Sequence, residues 1–282
     1  MINKINTLYA ETKLGELYGL AFGITEGDKY IDIRPLDLHL GEGFVVRIHF
    51  TWRSLICDFL PDNYATSLIR AMGDAANNQR ELFSKISTSL KNRSNVQFEM
   101  SINGISVNPE DNSEWPYTWR QLSLSLKIMP FVFENLTTKD NENIIIEWGG
   151  KLLSMILTLL PMEEIPEEGN TTGLPEGAVT RIEVNKYERN LINRQTCLLI
   201  HGTNCKICGF DFEARFGEIG KGYIHVHHLT PVSSIGPDYI ISPADDLLPV
   251  CPNCHAMLHK RNPPFTIQEI REIINKTGKI LS

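Results

Sequence analysis

Four cysteines place the tightest constraint on this chain, because Cys205 and Cys208 form one Cys-x2-Cys pair and Cys251 and Cys254 form a second. Two such pairs supply the thiolate set that closes a tetrahedral zinc site, so they predict a structural Zn2+ and a local fold in which the pairs meet. Histidines fill the stretch around the second pair. Tyr223-Ile-His-Val-His-His-Leu-Thr-Pro231 precedes it and Cys254-His255-Ala-Met-Leu-His259 runs out of it. On a helix, His255 and His259 are one turn apart on the same face, which lets both imidazoles reach one ion. A nitrogen-ligand site beside a zinc already saturated by sulfur points to catalysis rather than to scaffolding. The other two cysteines, Cys57 and Cys197, sit in apolar sequence and are expected to be free buried thiols in a reducing compartment.

With 282 residues, 42% hydrophobic and 22% charged, the chain accommodates two ordinary domains and does not read as disordered. The segment Met1 to Lys13 lacks the apolar core of a signal peptide, and no apolar run is long enough to span a bilayer. The expectation is a cytoplasmic protein with no membrane partner. A net charge of -7 argues against a nucleic-acid partner until its distribution is read. Before Met162 there are 15 basic and 19 acidic residues, Met162 to Ala178 holds 5 acidic and no basic ones, and Val179 to Ser282 holds 12 basic and 10 acidic. Only the cysteine-bearing part is positive, and a local basic face with bound metal is what phosphate contact needs.

The segment from Pro161 to Gly177 mixes Pro, Gly and Glu without apolar periodicity and reads as a linker. Before it, Phe44, Val46, Ile48 and Phe50 alternate with polar or outward positions, as do Leu122, Leu124, Leu126 and Ile128; both predict half-buried strands. Val96, Phe98, Met100 and Ile102 alternate into Asn103-Gly104, a hairpin signal after which Ile105 and Val107 return. Tyr64, Ala65, Leu68, Ile69 and Met72 form a helical face after a candidate Asp62 cap. Leu82, Phe83, Ile86 and Leu90 form a second such face, and Ile146 to Leu160 a third helix weakened by Gly149-Gly150. Glu183 to Ile200 has helical composition; its Lys186, Arg189 and Arg194 suit either a solvated face or DNA phosphates. Thr266-Ile-Gln-Glu269 is a capping box with Phe265 and Ile270 as its staple. The fold class expected is α+β: an N-terminal α+β domain over 1–160, an acidic linker over 161–178, and a C-terminal metal-binding domain over 179–282.

Three stretches carry a resemblance to a known family: Cys205-Lys-Ile-Cys-Gly-Phe-Asp-Phe212, Gly217-Glu-Ile-Gly-Lys-Gly-Tyr-Ile-His-Val-His-His228, and Asp246-Leu-Leu-Pro-Val-Cys-Pro-Asn-Cys-His-Ala-Met-Leu-His259. They resemble the HNH endonucleases, specifically the group shared with McrA-like modification-dependent restriction enzymes. The resemblance implies a ββα-metal unit: a strand over Tyr223 to His228, a loop over Leu229 to Asp245, a strand over Asp246 to Cys251 and a helix over Pro252 to Lys260. Side chains alternate across a strand, so adjacent His227 and His228 must point opposite ways and need different jobs. By the family pattern His227 joins His255 and His259 on a catalytic divalent ion (Mg2+, Mn2+ or Ni2+), and His228 is the general base. An imidazole suits that task because its proton affinity lies near neutral pH. Products with 5′ phosphate and 3′ hydroxyl ends are implied.

Two positions depart from the pattern. Asp246 stands where the family name expects asparagine, and it either hydrogen-bonds the loop and orients the base or raises the pKa of His228 through its charge. His225 stands where relatives commonly carry Glu, and it reads as an added ligand, a phosphate contact or an exposed strand residue.

The function expected is a metal-dependent DNA endonuclease of restriction or anti-phage defence, in which the first domain selects the target by reading modified bases in DNA or a partner protein and the second cuts. A homodimer or a defence-system partner is also expected. Trp52, Trp115, Tyr117 and Trp119 are candidates for a base-stacking pocket, with Trp115 to Trp119 the preferred place. The alternatives are a zinc-stabilised binding or docking protein that never cuts, and an enzyme that cuts RNA.

Overall fold

The computed structural model describes residues 5–94, 96–132, 136–160, 162–165, 182–229, 241–261 and 264–278. Contacts divide the chain into two compact units, Met1–Gln195 and Thr196–Ser282. No helix among the described residues is long and apolar enough to cross a membrane.

The first unit runs α1 (Thr7–Tyr18), β1 (Phe22–Glu26), β2 (Tyr30–Pro35), β3 (Phe44–Phe50), β4 (Leu55–Pro61), α2 (Thr66–Gly73), α3 (Asn77–Ser94), β5 (Val96–Ile102), β6 (Ile105–Ser106), β7 (Leu122–Ile128), α4 (Thr138–Thr158), β8 (Met162–Ile165) and β9 (Ile182–Asn185). β1 to β7 form an antiparallel sheet in the order β1-β2-β3-β4-β7-β5-β6. Alternation sets its faces. Phe44, Val46 and Ile48 of β3, Cys57 of β4, and Leu122, Leu124 and Leu126 of β7 are buried on one side, in the register Ile48↔Cys57↔Leu126. α4 packs over β3 and β4, α3 over β5, and α1 over β1. The other face carries Arg47 donating to both carboxylate oxygens of Asp32 at 2.7 Å, with its guanidinium 3.8 Å from the Tyr30 ring centre. The Asn103-Gly104 hairpin is present, with both residues at positive φ (54° and 79°), as a two-residue turn of this hand requires. Cys57 and Cys197 are both fully buried thiols.

Four expectations are corrected, the last of them the glycine pair of α4. Asp62 does not cap α2, which starts at Thr66 without a side-chain cap. Its carboxylate is taken by Arg34, at 2.7 and 2.8 Å, and by the Gly41 and Gly43 N–H groups, and the Arg34 guanidinium holds it below the ordinary Asp range. Trp115 and Trp119 are core side chains, 4% and 1% exposed, with their indole N–H groups donating to the Asn108 and Pro116 carbonyls and Trp115 edge-on to Phe83. They are not available to stack on a base, and only Tyr117 (91%) and Trp52 (84%) of that set are exposed. The third helix starts at Thr138, ahead of Ile146, behind a Thr137–Asp140 capping box.

Gly149 and Gly150 are packing positions in α4 rather than weak points. A Cβ on Gly149 would collide with Ile33 Cδ1, and one on Gly150 would stand 2.9 Å from Tyr18 Oη. Tyr18 is held there because it donates to the Gly150 carbonyl at 2.7 Å and bonds Ser154 Oγ at 2.9 Å.

The linker expectation lies mostly outside the described residues, as do residues 230–240 of the loop. At its near end Met162–Ile165 is a strand that pairs in parallel with Ile182–Asn185. α5 (Lys186–His201) follows β9, and the boundary between the two units falls within it.

The second unit continues with α6 (Phe212–Phe216), a 3-10 turn over Gly217–Gly220, β10 (His225–His228), β11 (Leu247–Val250), α7 (Pro252–Leu258) and α8 (Ile267–Gly278). Its core is small: Ile207, Ile224, Val250, Leu258 and Ile270 cluster with Cys205, Cys251 and Cys254, and Leu198, Phe212 and Phe265 pack against them. The α8 capping box forms, with the Thr266 N–H donating to Glu269 at 2.7 Å and the Glu269 N–H to Thr266 Oγ1 at 3.2 Å.

Gly150→Ala should leave the protein less stable in urea unfolding. Overpacking against buried Tyr18, on the order of 1–3 kcal/mol, outweighs the helix-propensity gain of about 1 kcal/mol.

Candidate metal centre

The first Cys-x2-Cys pair sits on a tight knuckle. The Gly209 N–H donates to the Cys205 carbonyl at 2.8 Å with Gly209 at φ 76°, and the Cys205 N–H reaches Phe210 O at 2.9 Å. The Lys206 N–H then bonds Pro249 O at 2.9 Å, tying the knuckle to β11. The second pair opens a helix: Cys251 is the N-cap of α7, its Sγ accepting from the Cys254 N–H at 3.4 Å with Pro252 at the first helical position. The four Sγ atoms lie within 4.8 Å of one another, and Cys208 Sγ and Cys251 Sγ are 3.8 Å apart. An ideal tetrahedron with Zn–S bonds near 2.3 Å has edges of about 3.8 Å. The four cysteines are therefore positioned to bind zinc.

Burial opposes ionisation of Cys205, but the backbone N–H groups around it together outweigh burial and bring its thiol down to about 7. Burial and the neighbouring sulfurs push Cys254 the other way. Four thiols this close cannot all ionise without a cation among them, a charge that a zinc ion held by Cys205, Cys208, Cys251 and Cys254 would supply.

The second cluster is made of imidazoles. β10 pairs antiparallel with β11 in the register His225↔Val250, His227↔Leu248 and His228↔Leu247, which turns His227 toward α7. There His227, His255 and His259 converge, with ring nitrogens within 4.8 Å of one another and ring centres 5.3, 5.2 and 4.9 Å apart. His227 is 7% exposed, His255 half-buried and His259 exposed, so the cluster is walled on one side and open on the other. Three convergent imidazoles with an open side would leave a tetrahedral ion one position short, unlike the four-thiolate set. His225 stands beside His255, ring centres 5.2 Å apart, but lies outside the three-ring set.

The electrostatics suit metal binding. Burial, then the charges of His255, His259 and His228, pull His227 down to about 4, and burial with His259 and His225 lowers His255. Neutral rings keep a lone pair for an ion at pH 7. His228 takes the opposite face of β10 and is half-buried; burial lowers its pKa, against a smaller upward pull from Asp246. Asp246 also closes the end of the loop: its carboxylate accepts from the Ser242 N–H at 2.7 Å, and its carbonyl accepts from the Leu229 N–H, next to His228, at 2.8 Å. Ser242 went unnoticed in the sequence, where only its spacing of four from Asp246 marks it. The side chains of Lys186 and Arg189 lie outside the described residues, and Arg194 is half-buried.

Cys208→Ser should lower bound zinc and unfold the second unit at a lower temperature than in the parent protein, with the sheet of the first unit retained. Zinc analysis together with limited proteolysis would check both parts.

Residues 205–261 match the family model described as HNH endonuclease. Over 114 residues the chain is 31% identical to the type IV methyl-directed restriction enzyme EcoKMcrA of Escherichia coli (strain K12), an alignment covering 39% of each protein. The chain thus spans well under half the length of that relative, and no solved structure matches it. The knuckles, the β10–β11 hairpin and α7 all fall inside the matched segment, and the C-terminal part of the chain is a McrA-like domain of the HNH endonuclease family.

Proposed function

We propose that this protein is a metal-dependent DNA endonuclease that hydrolyses phosphodiester bonds in restriction or anti-phage defence, acting in the cytoplasm. The observation that supports it most is the pair of separate clusters: four thiolates suffice for a structural zinc, and three further imidazoles converge on their own. His227, His255 and His259 would hold the catalytic divalent ion. Bound there, such an ion supplies Lewis-acid stabilisation of the negative charge that builds on a phosphodiester under attack.

The chain's own residues supply the rest. His228, on the far face of the strand from His227, accepts the proton of the attacking water through a neutral ring nitrogen. The new P–O bond forms to that water oxygen as the bond to the 3′ oxygen breaks, and the departing 3′ oxyanion takes a proton from solvent, leaving 5′ phosphate and 3′ hydroxyl ends. Asp246 braces the turn next to His228 through Ser242 and Leu229. The domain at 1–160 is assigned target selection, with methylated or otherwise modified DNA as the substrate class because the relative is methyl-directed. One such centre cuts one strand at a time, so a double-strand break calls for a homodimer or two successive events.

His228→Ala should cut supercoiled plasmid on the order of 10²- to 10⁴-fold more slowly, with zinc content and thermal unfolding unchanged. If the parent protein cuts neither DNA nor RNA of any modification with any ion, the non-catalytic binding reading replaces this one.

An all-imidazole donor set favours later transition ions, so Ni2+ should support cleavage at lower concentration than Mn2+ or Mg2+. The sign of the pH dependence follows from burial of His228: the base must be neutral, its pKa is lowered from 6.5, and so the acid limb of the rate profile should fall below pH 6.5.

A further inference from the structure

His201 is the last residue of α5, and its Nε2 lies 2.9 Å from the carbonyl oxygen of Ala244. A carbonyl only accepts, so Nε2 carries a proton and donates. The end of α5 is a firm base for this contact, because Thr196 and Cys197 are buried and Leu198 packs against the core of the second unit. Ala244 belongs to the turn over Ser242 to Asp246. That turn is closed by the Asp246 N–H on Ser242 O at 2.8 Å, the Asp245 N–H on Ser242 O at 3.1 Å, and Ser242 Oγ on the Asp245 carboxylate at 2.9 Å. It is joined to the strand of histidines where the Leu229 N–H meets Asp246 O at 2.8 Å, one residue beyond His228.

The geometry points to His201 as a positioning residue for His228: it holds the Ala244 carbonyl, which fixes the Ser242 to Asp246 turn and, through Leu229, the end of β10 that carries the base. This role rests on the nuclease reading above. His201 belongs to neither the four-cysteine nor the three-histidine group, and the role assigned to it runs through backbone hydrogen bonds rather than through proton transfer. The effect on rate follows from geometry, since a general base acts only within hydrogen-bond reach of its water and a misplacement of about 1 Å costs up to about 10²-fold.

The test compares His201→Leu, which removes the donor, with His201→Gln, whose amide N–H reaches the position of Nε2, in the full-length protein. Two readouts are taken, with zinc content checked alongside. One is backbone hydrogen exchange in peptides covering Val226–Leu229 and Ile241–Leu248. The other is the single-turnover cleavage rate at saturating DNA, with DNA affinity measured separately.

The leucine variant should exchange faster in both peptides and cleave roughly ten- to a hundredfold more slowly at unchanged DNA affinity. The glutamine variant should restore both. Parent-like exchange in the leucine variant overturns the proposal, as does faster exchange with an unchanged rate, or equal behaviour of the two variants. Should the parent protein itself cut nothing, the nuclease reading falls and with it the catalytic purpose of the contact, while exchange alone reports whether His201 holds the turn.

Discussion

The rest of the C-terminal unit depends on four sulfur atoms meeting at one point. Its apolar core comprises few side chains besides the cysteines, and the cysteines are part of that same cluster. A structural zinc is worth about 10–16 kcal/mol in zinc-finger peptides at neutral pH, which is more than so small a core supplies. Location matters as much as magnitude. Cys251 caps α7 and Cys254 lies on it, so the ion would fix where the helix begins and in which direction it leaves. His255 and His259 follow on that helix, and the knuckle at Cys205 is bonded to β11, the partner strand of His227. Sulfur coordination would thus set the separation of the imidazoles without touching them.

Next in importance is the two-residue period of β10. His227 and His228 are adjacent, and strand geometry sends one toward α7 and the other away from it. Burial lowers the proton affinity of both rings. Asp246 touches on both of its alternatives, and the net shift at His228 is downward. It braces the loop end through Ser242, and its charge does pull the His228 pKa upward, but burial is the larger influence.

In the first unit, legibility followed the range of the interaction. The alternation in β3, β5 and β7 and the Asn103-Gly104 turn were readable because each is decided within a few residues. Asp62 was misread as a cap because its partner, Arg34, lies far back in the sequence on β2. The start of α4 was missed because its first turns are polar and only the Thr137–Asp140 box marks them. The glycine pair was taken for a weakness because helix propensity counts backbone entropy and not the close approach of Ile33 and Tyr18. Trp115 and Trp119 lie on a stretch without regular structure, where no period tells a core side chain from an exposed one.

By itself the sequence determined the ligand inventory: two cysteine pairs, two histidines one helical turn apart, and two adjacent histidines that a strand must separate. These follow from rise and rotation per residue, which are the same in any protein. Only the tertiary structure decided how closely the four sulfurs and the three imidazoles approach one another, that burial outweighs Asp246 at His228, and that α5 ends with His201 against the turn beside it. Those outcomes depend on which distant segments exclude water from one another, and that is a property of the packed chain that no local spacing contains.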